Sequence, residues 1–476
     1  MEVAIVTLFV LGYLFISLEH PLKVNKAGTA LLTGTLLWVL YTFSASDYIP
    51  TVSAHEFEIF LLGKPQYADL PFAEQCLHFV LDFQIVECLG GIASTIFFLI
   101  GAMVTVELVD VHGGFLFITN RITTKNKRRI LFMVTVLTFF MSAVLDNLTT
   151  SIVMVMLVSK WVGNFRERWV FGSMIVIAAN SGGAWSPIGD VTTIMLWVHG
   201  NISAWETISH LWLPSIVSVA VPLAILLPAL HGNVTPPNVP VRQKENAILN
   251  ELKTKERLSI LILGLCCLLF VPIFKGLTHL PPFMGILLGV GVLWIYTDIM
   301  YRRKSSVDES IKLRLSKVVQ RIDWTTLLFF IGILLAVDTL RFSGILGSFA
   351  AMLDRTVGNV LAIDVIIGMI SAIVDNVPIV AGAIGMYPVI NETMLATAAD
   401  PVYAANFLPD GAFWQFLAYC AGVGGSILLL GSAAGVVVMG LVRIPFFWYL
   451  KRITWIASAG YLSGALVYYL QTLILN

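Results

Sequence analysis

The apolar positions of this chain come in long unbroken runs separated by short polar intervals, without the period-2 alternation of a half-buried strand. Such runs mark helices that cross a bilayer, where only helices and closed barrels satisfy every backbone group. Ten crossings are predicted at about 3–18, 27–43, 92–109, 170–200, 211–230, 258–274, 283–301, 324–340, 412–440 and 447–472. Two further apolar stretches, about 130–158 and 360–388, carry Asp146-Asn147 and Asp375-Asn376 near their middles. As simple spans they would bury those charges in lipid. As re-entrant helical hairpins, with arms of about 14 residues rising ~21 Å into a ~30 Å core, they carry each Asp-Asn pair at the tip.

Composition narrows the class. Of 476 residues, 58% are hydrophobic and 12% charged, with a mean hydropathy of +0.87, which excludes a soluble enzyme; the missing alternation excludes a transmembrane β-barrel. The polar intervals are too short for a soluble domain. Cys76, Cys88, Cys266, Cys267 and Cys420 are scattered and suggest no disulfide framework. The first run has no preceding Lys or Arg and no clear cleavage site, so it reads as a retained span.

Net charge is zero, but its distribution is not even. With both hairpins re-entrant, every Lys and Arg except Lys64, Lys275, Arg341 and Arg355 falls on one side, which the positive-inside rule makes cytoplasmic. Both termini then face outward. Drawing either hairpin as a full crossing would separate the basic clusters of the two halves.

The halves also match each other. Phe97 to Gly101, ending in Glu107, lines up with Leu328 to Gly332, ending in Asp338. Ser142 to Asn147 lines up with Ser371 to Asn376, and Gly182-Gly183 with Gly189 lines up with Gly424-Gly425 with Gly431. Five crossings and one hairpin per half make the copies an inverted repeat. The expected fold is therefore an all-α polytopic membrane protein of two inverted repeats. The first occupies 1–235, with its hairpin entering from the cytoplasmic side; a cytoplasmic linker follows at 236–257; the second occupies 258–476, with its hairpin entering from outside. Pro187 and the glycines around it break the helix between Asn180 and Thr193, and Gly422 to Ser432 breaks the matching helix, both near the midplane.

Five acids, Glu107, Asp146, Asp190, Asp338 and Asp375, lie at or near membrane depth, where an ionised Asp costs ~2.5 to 3.5 kcal/mol. No Lys or Arg lies within the nearby spans, so salt bridging is not expected and each acid holds a proton or a bound cation. Carboxylate, amide, hydroxyl and carbonyl oxygens make a hard site that suits Na⁺ or Li⁺ rather than a transition metal. Protons and Na⁺ would displace each other at the same oxygens, which is a mechanism for antiport. Ser142, Ser371, Ser426 and Ser432 are further candidates.

The segments Phe98 to Glu107, Ser142 to Thr150, Ser181 to Thr193 and Ile370 to Val380 resemble the NhaD-type sodium/proton antiporters of the ion transporter superfamily. The resemblance implies a bacterial inner-membrane exchanger that expels Na⁺ or Li⁺ for protons, by an elevator-like movement and usually as a homodimer. It places the ion site at Asp146, Asn147, Thr149, Thr150, Asn180, Asp190, Thr192, Thr193, Asp338, Asp375 and Asn376, with Na⁺ or Li⁺ held at Asp146, Asp190 and Asp375. Cargo, lipid and a second copy are then the partners, with no cofactor and no nucleic acid. Dicarboxylate and arsenite-type relatives resemble the fold but use an uncharged Ser-Asn-Thr tip. A sodium-coupled carrier of such an anion is the alternative; paired tip carboxylates would repel its substrate.

Overall fold

The computed structural model describes residues 1–17, 23–114, 124–235, 252–304 and 312–475. Most of the expected linker, with Arg242 and Lys244, lies outside them, as does Arg121. Among the described residues the regular structure is helical, with one isolated bridge between Asn126 and Asn233. The helices used below are α1 (Glu2–Ser17), α2 (Lys26–Val52), α3 (Ile85–Val111), α4 (Lys127–Leu145), α5 (Asn147–Trp161), α6 (Phe165–Ala184), α7 (Val191–Val198), α8 (Ala204–Leu226), α9 (Thr254–Thr278), α10 (Pro282–Arg302), α11 (Trp324–Phe342), α12 (Ile345–Thr356), α13 (Val360–Ser371), α14 (Asn376–Met386), α15 (Ala412–Gly424), α16 (Ala433–Val442), α17 (Phe446–Arg452) and α18 (Thr454–Leu475).

Seven helices among the described residues are long and apolar enough to cross a membrane on their own, or eight if the bent pair α16 and α17 counts as one span. The protein is a multi-span membrane protein. Both expected helix breaks are present, between α6 and α7 and between α15 and α16. Several boundaries differ from expectation: α3 and α8 each begin seven residues early, at Ile85 and Ala204. The second span extends through Pro50 to Val52. The last expected span is split: α17 turns 115° from α16, with Tyr449 buried against the Ser426 carbonyl, and the crossing helix begins only at Thr454. The hairpin arms are also unequal, with 19 and 15 residues in the first and 12 and 11 in the second.

Hydrogen bonds bring the two ends of each hairpin together. The Lys127 N–H before the first hairpin donates to Gly232, and the Gly163 N–H after it donates to Thr235, so one short segment holds both ends. At the second, Tyr387 after the hairpin donates to Asp354 before it. The broken helix α6–α7 joins the two bases: it starts beside Gly163 and ends near Asn201, whose carbonyl accepts from the Asp410 N–H beside the second base. The bases therefore lie at opposite ends and the tips point toward each other.

The sequence matches recur as contacts. Ser142 Oγ donates to the Ala179 carbonyl and Ser371 Oγ to that of Ala421. A Cβ on Gly182 would strike the Phe139 carbonyl, and one on Gly424 would strike that of Gly368. The same small-residue crossing thus seats each hairpin on its broken helix, where close approach supplies the packing that lipid does not. Replacing Ser142 or Ser371 by Ala should each cost about 1 kcal/mol, read as a lowered unfolding temperature in detergent; no change in either would mean that these bonds do not hold the hairpins.

Candidate functional site

The site forms where both hairpin tips meet the first helix break. At the first tip Asp146 adopts φ 79°, ψ 158°, a conformation nearly confined to glycine that costs about 1–3 kcal/mol. Its carboxylate accepts from the Thr149 N–H and the Thr149 hydroxyl, both at 2.8 Å, capping α5. The second tip is built differently: Asp375 has φ −48°, ψ 137° and makes no side-chain cap. Asp190 begins α7, accepts from the Thr192 N–H at 3.2 Å, and its carbonyl accepts from the Thr193 hydroxyl at 2.9 Å.

Asp190 is the hub. Its side chain is 1% exposed, and Oδ2 accepts from Asn147 Nδ2 at 2.8 Å and Asn376 Nδ2 at 3.2 Å, one asparagine from each hairpin. Asn147 also donates to Asn180 Oδ1 at 3.1 Å, and Asn180 Nδ2 donates to Ser432 Oγ at 2.9 Å. Ser432 caps α16 through the Gly435 N–H. One network therefore joins both tips and both breaks, and its donors to the carboxylate are neutral. A cavity of about 50 Å³ opens onto Asp146, Asn147, Thr149, Asp190 and Asn376, with Phe98, Met103, Leu268 and Phe330 among its apolar walls; that is room for a water or a small cation. Thr150 Oγ1, Thr192 Oγ1 and Asp375 Oδ1 are buried oxygens without a hydrogen-bond partner. These oxygens, with the Asp146 and Asp190 carboxylates, are the kind that suits a hard cation, while Asn147 and Asn376 turn amide NH2 groups to Asp190.

The other expected residues stand apart. Ser142 and Ser371 hold backbone carbonyls, as described, and Ser426 Oγ donates to the Val423 carbonyl. Asp338 and Glu107 are not in the network. Asp338 pairs with Arg341 at 3.5 Å, and Arg341 pairs with Glu87 at 3.1 Å; all three line a separate cavity of about 250 Å³ with His199. Glu107 lies 3.8 Å from Arg321. Nor do the acids merge into one cluster: among the described residues no three His, Cys, Asp or Glu side chains group as a metal site.

These pairings correct the expectation that no base reaches the acids. Besides the two arginines, Lys26 Nζ lies 3.4 Å from Asp375 Oδ2. Lys26 opens the second span, where its charge marks only topology along the chain, and helix packing carries it inward. Asp364 was also missed. It interrupts the apolar run of α13, is fully buried, and neither carboxylate oxygen has a hydrogen-bond partner; an acid inside a hairpin arm was the signal.

The chain is similar to known proteins over most of its length. The profile of the citrate transporter family, CitMHS, matches residues 13–408. Sodium/proton antiporter 1 of Arabidopsis thaliana is 42% identical over 98% of this chain and 72% of its own length. Sodium/proton antiporter 2 of the same plant is 39% identical over 97% of both chains. The Na⁺/H⁺ antiporter NhaD of Vibrio cholerae is 30% identical over 99% of this chain and 91% of its own.

Proposed function

Because the chain belongs to the citrate transporter family, among the NhaD-type sodium/proton antiporters, we propose that it exchanges Na⁺ or Li⁺ for protons by alternating access. The observation that carries this reading is the meeting of Asn147 and Asn376, from opposite hairpins, on the buried carboxylate of Asp190. A cation bound there touches both tips and both breaks at once, so loading the site and moving it are coupled. Asp146, Asp190 and Asp375, with Asn147, Thr149, Thr150, Asn180, Thr192, Thr193 and Asn376, supply the ligands; protonation of the carboxylates replaces the cation on the return. The protein is a carrier rather than an enzyme, and the reading calls for no cofactor.

The repeat is read as inverted, with units at 1–235 and 258–476. Supporting this are the hairpin bases at opposite ends, the paired serine and glycine contacts, and Arg128, Arg129, Arg166 and Arg168 gathered at the first base. The same asymmetry favours both termini outside, and the bacterial NhaD relatives favour a bacterial inner membrane. A homodimer, with the hairpins moving against a scaffold that includes α2 and α11, completes the proposal.

The citrate description of the family raises anion transport. The carboxylates lining the cavity argue against it, since no Lys or Arg lines that cavity to anchor an anion. Sealed proteoliposomes with an imposed pH gradient and a lumenal pH dye test both readings. Na⁺ and Li⁺ should dissipate the gradient and Asp146→Asn should abolish the response; silence toward cations, with Na⁺-dependent uptake of labelled citrate, would overturn antiport.

A further inference from the structure

Asp375 stands at the second tip beside Asn376, the residue that carries the tip's contact to Asp190. Its two oxygens have different surroundings. Oδ1 is buried without a hydrogen-bond partner, whereas Oδ2 faces the Lys26 ammonium at 3.4 Å. Both side chains are largely withdrawn from solvent, at 19% exposure for Lys26 and 14% for Asp375. The ammonium also lies 4.6 Å from the centre of the Phe329 ring, whose face attracts a cation. Lys26 belongs to α2, which packs along α11; Asp375 belongs to the hairpin. The pair therefore ties the hairpin tip to a helix pair outside the hairpins and the broken helices.

We propose that Lys26 is an internal competitor for the transported cation: its ammonium occupies the Asp375 carboxylate in the cation-free protein and leaves it when Na⁺ or Li⁺ binds. The inference deepens the antiport reading and rests on it. An ammonium and a sodium ion cannot both sit at contact with one carboxylate without mutual repulsion, and that repulsion is strong away from bulk water. Lys26 accordingly lowers cation affinity and makes release easier, while it holds the emptied tip to α2. It is a positioning residue: it acts through Asp375.

The test uses the purified full chain, with two readouts: half-saturating Na⁺ for exchange in proteoliposomes, and half-saturating Na⁺ for thermal stabilisation in detergent. Lys26→Met should lower both by at least about fivefold, the lower end of ordinary coupling between ligands. Lys26→Gln should do the same, and Lys26→Arg, which keeps the charge, should stay near wild type. In an Asp375→Asn background, Lys26→Met should no longer shift stabilisation, because the carboxylate under competition is gone. Unchanged half-saturation in both neutral variants, with a wild type that responds to Na⁺, would overturn this inference and leave antiport standing. A wild type that responds to Na⁺ in neither assay would overturn the antiport reading and this inference with it.

Discussion

Asp190→Asn should abolish Na⁺-driven and Li⁺-driven proton movement while the protein still folds and inserts. The substitution keeps the shape. Its amide oxygen can still accept from the Thr192 N–H, and the side chain still fills the space between Asn147 and Asn376. What disappears is the charge and one acceptor, because an amide NH2 then stands where Oδ2 met the Asn147 and Asn376 amides. A charge-assisted ligand worth about 3 kcal/mol corresponds to a ~100-fold loss of cation affinity, and the variant also loses the group that would carry the proton. A folded variant should therefore show at least a ~100-fold drop in exchange at low Na⁺ with its helical circular dichroism and yield unchanged. Retained exchange would remove Asp190 from the site. A collapse in yield would show that the network is structural first.

The second large effect concerns the helix crossings. Gly182→Ala and Gly424→Ala each add one methyl group, and each methyl meets a backbone carbonyl of the facing hairpin, at Phe139 and Gly368 respectively. A backbone atom in a packed helix cannot move aside as a side chain does, so the hairpin must lift. Overpacking ordinarily costs about 1–3 kcal/mol, and lifting the tip also breaks the asparagine contacts with Asp190. Both variants should lose most of their monodisperse material in detergent chromatography, with an unfolding temperature well below wild type. Gly276→Ala is the control. A Cβ there meets nothing within 4 Å, and Ala is favoured over Gly in a helix by roughly 1 kcal/mol, so this variant should match or exceed wild type. A normal Gly182→Ala protein would contradict the packing described here.

Much of this was legible in the sequence because bilayer physics writes in long signals. An apolar run marks a helix, an Asp-Asn pair in the middle of one marks a tip, and Pro187 among glycines marks a break; all three stand where they were expected. Lateral packing was not legible. Nothing along the chain says that Asn147 and Asn376 turn their amides to the same carboxylate, or that Lys26, at the start of α2, reaches the tip of a hairpin 349 residues away. Helix length is ambiguous as well, since the first arm of the first hairpin has the 19 residues of a crossing helix, and only the bonds at its base bring its start beside the end of the second arm. Asp338 and Glu107 matched each other across the repeats, yet each finds an arginine rather than the site. A repeat can preserve position where it has not preserved role.

The most direct test of the central claim, that protons and the transported cation compete at the Asp190 network, is a proton count on the purified protein. Na⁺ is added to a weakly buffered detergent solution near neutral pH, and released protons are followed with an indicator dye. Na⁺ should release protons from the wild type, Li⁺ should do the same, and Asp190→Asn should release markedly fewer. Saturable Na⁺ binding, seen as thermal stabilisation, with no proton release across the pH range of activity would contradict competition at this site.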